Sequence, residues 1–171
     1  MIDSNKNTAC ISTAVGWLKI TTNETSVKEI LFSDEEFVTS EPTEFLKEVI
    51  NELQEYFIGV RKEFSFHCDP NGTDFQKKVW NELVNIPYGK TVSYLEMARK
   101  LGDEKVIRAA ASANGKNPIA IVIPCHRVIG TDGSLTGYAG GLPRKEWLLS
   151  HEKGVYSPTL FDQFLNIENG A

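Results

Sequence analysis

Residues 93–115, SYLEMARKLGDEKVIRAAASANG, decide the fold of the second half of the chain. Ser93 and Glu96 form a capping box, in which two side chains close the start of a helix, and Gly102 favours the left-handed turn that ends one. An aspartate then caps a second helix over residues 104–114. Two short helices joined by a glycine-containing turn predict a helix-turn-helix.

Helical patterns continue on both sides of this motif. Thr73 and Gln76 form another capping box, and the helix that they open is predicted to stop at Pro87. Amphipathic spacing predicts an earlier helix over 43–58 and a last helix over 143–153. The residues of the helix after the Thr73 cap that are expected to face the core are Phe75, Val79, Trp80, Leu83 and Val84.

Short strands are expected in the first third of the chain. Residues 17–21 and 27–32 alternate apolar and polar side chains, and residues 64–67 are expected to add another strand. The cluster Asp69-Pro-Asn-Gly favours a turn, and it is the expected domain boundary.

Charge is unevenly distributed along the chain. Of the formal net charge of −5, residues 1–72 carry −7, residues 73–154 carry +4 and residues 155–171 carry −2. An acidic front and a basic back can leave one face able to meet phosphates, with modest and salt-sensitive affinity for DNA. On charge alone, an ordinary solvated surface explains the same excess.

The composition excludes several classes of protein. Hydrophobic residues make up 41% and charged residues 24%, which is typical of a globular chain. No apolar run approaches the roughly 20 residues of a membrane-spanning helix, and no secretory signal is visible. The three cysteines, Cys10, Cys68 and Cys125, lack the spacing of a disulfide scaffold and favour a reducing compartment. A cytosolic protein without a membrane partner is expected.

Cys125 has the surroundings of a reactive thiol. It follows a continuous apolar run over 119–123, and it precedes His126 and Arg127, whose proton-accepting and cationic groups lower a thiol pKa. In an extended segment, neighbouring side chains point to opposite faces, so His126 would act on the sulfur through one water, with a carboxylate orienting its other nitrogen. A buried structural cysteine and a Cys–His hydrolase are the alternatives.

Several segments together resemble a known family. Ile123-Pro-Cys-His-Arg-Val128, preceded by Asn117-Pro118 and followed by Gly137-Tyr-Ala-Gly-Gly-Leu142, is similar to the O6-alkylguanine-DNA alkyltransferases, also called methylated-DNA–protein-cysteine methyltransferases. The resemblance is strong over about residues 43–154 and weaker over the first 40. Further matching segments, in the family's order and spacing, are 72–76, Val79-Trp80, 86–94, Arg108-Ala109 and 145–149.

The resemblance implies an α+β fold. Residues 1–70 would form a small N-terminal α/β domain with a short antiparallel sheet. Residues 71–154 would form a mostly helical domain for DNA binding and catalysis, containing a winged helix-turn-helix, and residues 155–171 a C-terminal tail.

The family moves an alkyl group from O6 of guanine, and less efficiently from O4 of thymine, onto its own cysteine without a cofactor. The resemblance implies that Cys125 is the acceptor, that His126 is the base acting through water, and that Glu152 orients His126. It also implies that Tyr94 assists the leaving base and that Asn117 ties the recognition helix to the active-site segment. Because a thioether is not easily reversed, each molecule is expected to act once.

The expected partner is double-stranded DNA, approached through the minor groove with the damaged base flipped out. The resemblance implies that Arg108 fills the gap left by that base, while small neighbours let the helix approach closely. The expected DNA contacts are Arg108, Ala109, Ser112, Ala113, Thr91 and Ser93. The expected base pocket comprises Pro124, Arg127, Val128, Tyr138 and Ala139, where Ala139 stands at a position that is serine in some members.

Other conspicuous residues have structural explanations. Trp17, Trp80 and Trp147 lie in apolar stripes and are expected in the core. His67, Cys68 and Cys10 lack paired zinc-ligand spacing, so no metal is expected. A monomer is expected, with cooperative binding on DNA left open, in the cytoplasm of a prokaryote or the nucleus of a eukaryote.

Two alternatives belong to other classes of function. A non-catalytic, alkyltransferase-like protein would bind the lesion without transfer, but such relatives have lost the acceptor cysteine. A winged-helix regulator would instead bind a specific undamaged operator through its helix-turn-helix.

Overall fold

A computed structural model describes residues 5–155 of the 171-residue chain. The predicted tail, residues 155–171, lies outside the described residues except for its first member. The first elements are the strands β1 (Asn7–Thr13), β2 (Gly16–Thr22) and β3 (Val27–Ser33), which form one antiparallel sheet with β2 in the middle. The strands predicted over 17–21 and 27–32 are confirmed. Strand β1 was not predicted, because Ala9 is its only buried residue and its sequence shows no clear alternation of apolar and polar side chains.

Helices dominate the rest of the described chain. They are α1 (Glu44–Phe57), α2 (Asp74–Leu83), α3 (Tyr94–Lys100), α4 (Ile107–Gly115) and α5 (Leu142–Glu152). Two short strands, β4 (Val92–Ser93) and β5 (Val128–Ile129), pair in parallel beside α3. The α+β class is as predicted, and no helix within residues 5–155 is long and apolar enough to cross a membrane.

Both predicted capping boxes close their helices. The Thr73 hydroxyl accepts a hydrogen bond from the Gln76 backbone N–H at 3.1 Å, and the Gln76 side chain accepts one from the Thr73 N–H at 2.9 Å. Ser93 and Glu96 repeat the arrangement at 3.1 and 2.7 Å. Gly102 follows α3 with φ of +100°, a conformation that glycine adopts without steric cost. Helices α3 and α4 therefore form the predicted helix-turn-helix.

Two segments differ from their predicted secondary structure. Residues 104–114 do not form one helix, because Asp103 caps a 3₁₀ turn over Glu104–Val106 before α4 begins. Residues 64–67 form no strand, since the chain meets the sheet only through a single bridge at Cys68.

The apolar run over 119–123 is buried at its three isoleucines, but it is not extended. After one bridge to β3 the chain folds into turns, with Ile121 at φ of +72°. Cys125–Arg127 then form a 3₁₀ turn. The expectation of an extended segment, with Cys125 and His126 on opposite faces, is therefore wrong.

One continuous core joins the sheet to the segments that follow. Leu18 of the sheet, Leu53 of α1, Leu83 of α2 and Val128 of β5 are all fully buried in the same cluster. Each fully buried side chain of this kind contributes about 1.5–3 kcal/mol. The segment that carries Cys125 is thus fixed between Ile123 and Val128, which both belong to this core.

Some predicted core side chains are only partly buried. Trp80 is 2% exposed, as expected of a core residue, whereas Trp17 and Trp147 are half-buried. Val84 was expected to face the core but is 51% exposed, because α2 has already ended and the helical spacing no longer applies.

Candidate active site

Cys125 lies at the start of the 3₁₀ turn and is 5% exposed. Asn117 Nδ2 donates to Sγ of Cys125 at 3.2 Å and to the Ile123 carbonyl at 2.8 Å. The Asn117 Oδ1 accepts a hydrogen bond from the N–H of Ile119 at 2.9 Å. Because Asn117 follows α4 closely along the chain, its side chain links the end of that helix to the segment that carries the thiol.

The pKa of the Cys125 thiol is raised rather than lowered. Burial disfavours the thiolate, and the hydrogen bond from Asn117 and the charge of Lys145 offset only part of that effect. The expectation that the charges of His126 and Arg127 lower this pKa is wrong, because the Arg127 guanidinium is paired with a carboxylate of α5. The protonated thiol therefore predominates at neutral pH, and its use as a nucleophile needs a base.

Glu152, the last residue of α5, is the centre of a buried polar network. Its Oε1 lies 2.7 Å from His126 Nε2, and it accepts hydrogen bonds from the Tyr56 hydroxyl at 2.7 Å and from Arg127 Nη2 at 3.0 Å. Its Oε2 accepts from Arg127 Nε at 2.9 Å and from the Gly89 N–H at 3.2 Å. Burial alone raises the pKa of Glu152, but the hydrogen bonds and charges of His126 and Arg127 outweigh it and hold that pKa well below its usual range.

His126 is fully buried beside this carboxylate. Burial lowers the pKa of His126, and the hydrogen bond to Glu152 offsets only part of that effect. Since an ionised carboxylate can only accept, the Nε2 atom carries the ring proton and Nδ1 carries the lone pair. Nδ1 bonds to no other atom of residues 5–155. The residue next to the thiol therefore has an unprotonated nitrogen that can accept a proton.

Lys145 of α5 is buried with its ammonium group bonded to carbonyl oxygens. Its Nζ donates to the carbonyls of Val128 at 2.6 Å, Thr136 at 3.1 Å and Gly137 at 3.3 Å. These bonds hold the glycine-rich loop after β5 against α5. Because carbonyls carry no net charge, they leave the cation able to act on the thiolate of Cys125, whose pKa it lowers.

A cavity of about 600 Å³ lies beside the cysteine segment. Tyr94 and Asn114 line it and connect it to Cys125, since Asn114 Nδ2 donates to the Cys125 carbonyl at 3.3 Å and to the Tyr94 hydroxyl at 3.4 Å. Burial raises the pKa of Tyr94, so its hydroxyl stays protonated and can donate. Ligand pockets commonly measure about 300–1,000 Å³, so the cavity is large enough for a purine base.

The same cavity joins two sets of predicted residues. Tyr138 and Ala139 of the loop line one side, and Arg108 of α4 lines the other. The Tyr138 hydroxyl is buried and finds no hydrogen-bond partner within residues 5–155. The structure thus brings the expected base pocket next to the residue that is expected to enter the duplex.

The expected DNA contacts divide by exposure. Ala113 is 2% exposed, because it faces α2, where its carbonyl accepts a hydrogen bond from Trp80 Nε1 at 2.9 Å; the expectation for Ala113 is therefore corrected. Thr91 and Ser93 are half-buried, and the Ser93 hydroxyl is occupied in its capping box. The contacts that are exposed along α4 are Arg108, Ala109 and Ser112.

Three residues expected in the base pocket do not line the cavity. Arg127 is turned away from it, since its Nη1 donates to the Ile86 carbonyl at 2.6 Å and its guanidinium lies over the ring of Tyr88. The side chain of Val128 is fully buried in β5, so only its carbonyl oxygen is left to contact a base. Pro124 is buried just before the 3₁₀ turn. The expectation of Arg127 as a pocket side chain is corrected.

Four participants in this site have no functional signal in the sequence: Tyr56, Lys145, Asn114 and Gly89. Tyr56 lies three residues after Leu53 on the buried stripe of α1, so helical spacing could have predicted its burial. Its hydrogen-bond partner Glu152 is 96 residues away, and no local pattern predicts that contact. Lys145 and Asn114 lie at helical spacing from apolar residues, which predicts burial without a role. The Gly89 N–H carries no signal at all, because every non-proline residue has one.

The structure gives no sign of a metal centre in the residues that it describes. Between residues 5 and 155, no three His, Cys, Asp or Glu side chains are grouped so that they could hold an ion. Cys10 and Cys68 are half-buried thiols, and burial raises the pKa of Cys68 to about 12.

Comparison with known proteins gives matches over most of the chain. Residues 74–154 match the family model described as 6-O-methylguanine DNA methyltransferase, DNA binding domain. A methylated-DNA–protein-cysteine methyltransferase of Methanosarcina acetivorans is 53% identical over 112 residues, covering 66% of this chain and 72% of that protein. A protein of the same name from Mycobacterium tuberculosis is 51% identical over 115 residues, covering 66% of this chain and 70% of the relative.

Solved structures agree with this result. The crystal structure of Mycobacterium tuberculosis O6-methylguanine methyltransferase has a TM-score of 0.80 and 39% identity, covering 91% of this chain and 99% of that one. A structure of Mycobacterium tuberculosis OGT in complex with DNA has a TM-score of 0.79 and 40% identity, covering 89% and 96%. Fold and site together define a DNA-binding domain built around a buried cysteine. The chain belongs to the methylated-DNA–protein-cysteine methyltransferase family.

Proposed function

We propose that this protein repairs DNA by transferring an alkyl group from O6 of guanine to Sγ of Cys125, once per molecule. The observation that carries the proposal is the position of Cys125: its thiol is buried, and its backbone carbonyl accepts a hydrogen bond from Asn114, which together with Tyr94 lines a cavity of about 600 Å³. A thiol sealed away from any cavity could not reach a base, and a fully exposed one would lack the dry surroundings that strengthen electrostatic control.

The transfer is a direct displacement. The Cys125 thiol gives up its proton toward Nδ1 of His126 through a bridging water, and Glu152 stabilises the resulting positive charge on the ring. The thiolate then attacks the alkyl carbon, so that an S–C bond forms as the C–O6 bond breaks. The electron pair of the broken bond stays on the guanine, which gains a proton at a ring nitrogen by way of Tyr94, while the proton taken up by His126 is passed back through water to restore Tyr94. The guanine remains part of the DNA in its unmodified form, and the protein keeps a neutral thioether.

Tyr94 and Asn114 are placed to help the departing base. The protonated Tyr94 hydroxyl lines the cavity and can donate a hydrogen bond to a ring nitrogen as negative charge develops there. Asn114 bonds to that hydroxyl and to the Cys125 carbonyl, so it links the donor to the backbone of the residue that carries the nucleophile.

Helix α4 of the helix-turn-helix contacts the DNA and directs the flipped base into the cavity. Arg108 is exposed at the rim of the cavity, where a long cationic side chain can occupy the gap in the base stack. Ala109 and Ser112 are exposed beside it, and their small size lets the helix approach the DNA backbone. Few side chains of α4 can bind base edges, which suits a protein that must scan every sequence.

We extend the proposal to the partners and the organisation of the chain. O4-alkylthymine is a second, poorer substrate, and the protein acts as a monomer in the compartment that holds the DNA. Residues 1–70 and 71–154 are the structural and the DNA-binding units, and residues 155–171 are a tail. The segregation of charge supports this division, because residues 1–72 carry −7 and residues 73–154 carry +4.

Mass spectrometry of the intact protein tests the transfer. After incubation with a duplex that contains one O6-methylguanine, we expect one added methyl group, located on the peptide that contains Cys125. Cys125→Ser removes the addition while binding to the lesion duplex persists. Cys68→Ser is the matched control, because Cys68 is a half-buried thiol away from the cavity. Tight lesion binding without any added mass would overturn the proposal and indicate a lesion-binding protein instead.

A further inference from the structure

Tyr56 of α1 reaches the polar network of the site from the other end of the chain. Its ring is fully buried, and its hydroxyl donates to Oε1 of Glu152 at 2.7 Å. No step of the proposed reaction uses this hydroxyl. Burial and the neighbouring Glu152 charge raise the pKa of Tyr56 well above its usual value, so the group is always a donor here.

We propose that Tyr56 is a positioning residue for alkyl transfer: its hydroxyl holds the Glu152 carboxylate so that His126 keeps its proton on Nε2 and offers Nδ1 to the thiol. This inference rests on the proposed function and deepens it. It assigns the first, sheet-bearing part of the chain an indirect part in the chemistry, through Glu152 and His126.

Aromatic side chains that pack around Tyr56 hold its ring in a single orientation. Phe57, Phe64, Tyr88 and His151 pack against it, with ring centroids 5.3–6.1 Å away. The His151 Nε2 also lies 2.6 Å from the Tyr56 carbonyl, which ties α1 to α5 at the same point. A hydroxyl held on such a ring fixes its hydrogen-bond partner at little further cost in entropy.

The Tyr56 hydroxyl is one of three hydrogen-bond donors that share the Oε1 atom of Glu152. It receives Tyr56, Arg127 Nη2 and His126 Nε2 together. Two of these donors, Tyr56 and Arg127, never give up their protons at ordinary pH. They therefore stabilise the ionised carboxylate independently of His126, and His126 does not have to be charged to satisfy it.

The charged groups around His126 act in opposite directions, because Glu152 raises the pKa of His126 while Arg127 and Lys145 lower it. Arg127 and Lys145 are cations that disfavour a charged imidazole, Glu152 is the only carboxylate in contact within the described chain, and Cys125 and Tyr88 are neutral at pH 7. Removing the Tyr56 hydroxyl leaves Glu152 with less stabilisation, so its oxygen attracts a proton on His126 more strongly. A larger fraction of His126 is then protonated and unable to accept the thiol proton.

Tyr56→Phe is the test, measured as the single-turnover rate of methyl transfer from pH 5 to 9. We expect the acid limb of the rate profile to move to higher pH, with a roughly tenfold loss of rate near pH 6 and less than about a twofold loss near pH 9. Tyr88→Phe is the matched control. It deletes the same atom from a ring of the same cluster, and within residues 5–155 that hydroxyl makes no hydrogen bond. Its profile should match the parent protein.

A substrate-free measurement separates this inference from the proposed function. The His126 ring resonances, followed by NMR against pH, should titrate at higher pH in Tyr56→Phe than in the parent protein and in Tyr88→Phe. A parent protein that transfers no methyl group overturns the proposed function, while the NMR shift still supports the positioning of His126. Unchanged titration, or an equal loss of rate at every pH that follows lost thermal stability, overturns the role of Tyr56.

Discussion

Arg127 and Glu152 form a two-point ion pair inside the protein, with Nε to Oε2 at 2.9 Å and Nη2 to Oε1 at 3.0 Å. Both side chains are almost completely inaccessible. Because a guanidinium is charged at every relevant pH, Arg127 balances the carboxylate permanently. Glu152 can then remain ionised beside a neutral His126, which is the protonation state that a general base requires before it accepts a proton.

Glu152→Gln breaks this pair and leaves Arg127 buried without a counter-charge. We expect a loss of about 3–5 kcal/mol in the free energy of unfolding at pH 7, the usual cost of removing one partner of a buried pair. Because the pKa of Glu152 is lowered in the folded protein, its contribution is complete above the ordinary value of 4.5 and is lost as the pH falls toward the folded value. The difference between the two proteins should therefore shrink below pH 4.5.

Urea unfolding at pH 7, 5 and 3 measures this dependence. Glu104→Gln is the control, since Glu104 pairs with Arg99 at the surface, where both side chains are more than half exposed and such pairs contribute about 0–1 kcal/mol. Equal losses for the two variants at pH 7 would contradict the buried pair.

Arg108→Ala separates extrusion of the base from the transfer itself. Arg108 is exposed, so the variant should unfold within about 0.5 kcal/mol of the parent protein. Transfer from duplex DNA should fall about 10- to 100-fold, because stabilising the gap in the base stack is worth a few kcal/mol. Transfer from the free base O6-benzylguanine needs no extrusion and should change less than about twofold. A matching fall with both substrates would place Arg108 in the chemistry instead.

Local patterns in the sequence predict the helices well and the site only in part. The capping boxes at Thr73 and Ser93 are complete within four residues, so their helices can be located without any long-range information. The 3₁₀ turn at Cys125–Arg127 has no such signal, because its shape follows from Asn117 and the buried isoleucines before it. Apolar composition there predicts burial but cannot distinguish a strand from a turn.

The polar contacts of the site depend on distant partners. Arg127 meets Glu152 across 25 residues, and Tyr56 meets it across 96. The resemblance to the family gives Cys125, His126 and Glu152 expected roles, but it gives no reason to turn Arg127 away from the base. That orientation follows from the desolvation cost of an unpaired carboxylate, which only the folded structure reveals.

Lys145→Met tests whether one buried ammonium group holds the loop and favours the thiolate. Methionine keeps the apolar part of the side chain but lacks the ammonium group, so the carbonyls of Val128, Thr136 and Gly137 lose their donor. We expect a loss of about 2–4 kcal/mol in stability from the orphaned carbonyls. Limited proteolysis should cut the loop after β5 faster than in the parent protein.

The same variant should react more slowly at Cys125 than the parent protein at pH 7, since the thiol pKa rises further without the cation. Lys153→Met is the matched control, because Lys153 is exposed just beyond α5. Faster proteolysis with an unchanged thiol titration would limit Lys145 to holding the loop.

Asn117→Ala tests the hydrogen bond to the sulfur directly. In a Cys10→Ser, Cys68→Ser background, Cys125 is the only thiol, and its alkylation by iodoacetamide can be followed against pH. Burial raises the pKa of Cys125, so the reaction of the folded parent should still be increasing above pH 9, where an unfolded cysteine is mostly ionised. Asn117 Nδ2 stabilises the thiolate at 3.2 Å, and its loss should move the curve to still higher pH.

Asn117→Asp distinguishes this electrostatic effect from a change in access. The carboxylate keeps an acceptor for the Ile119 N–H but replaces the donor to sulfur with a negative charge. Reaction at pH 8 should therefore fall in the order parent, Asn117→Ala, Asn117→Asp, and the three proteins should react equally in 8 M urea, where the local structure is lost. A variant that reacts faster than the parent at pH 8 would show that Asn117 shields the sulfur from the reagent more than it stabilises the thiolate.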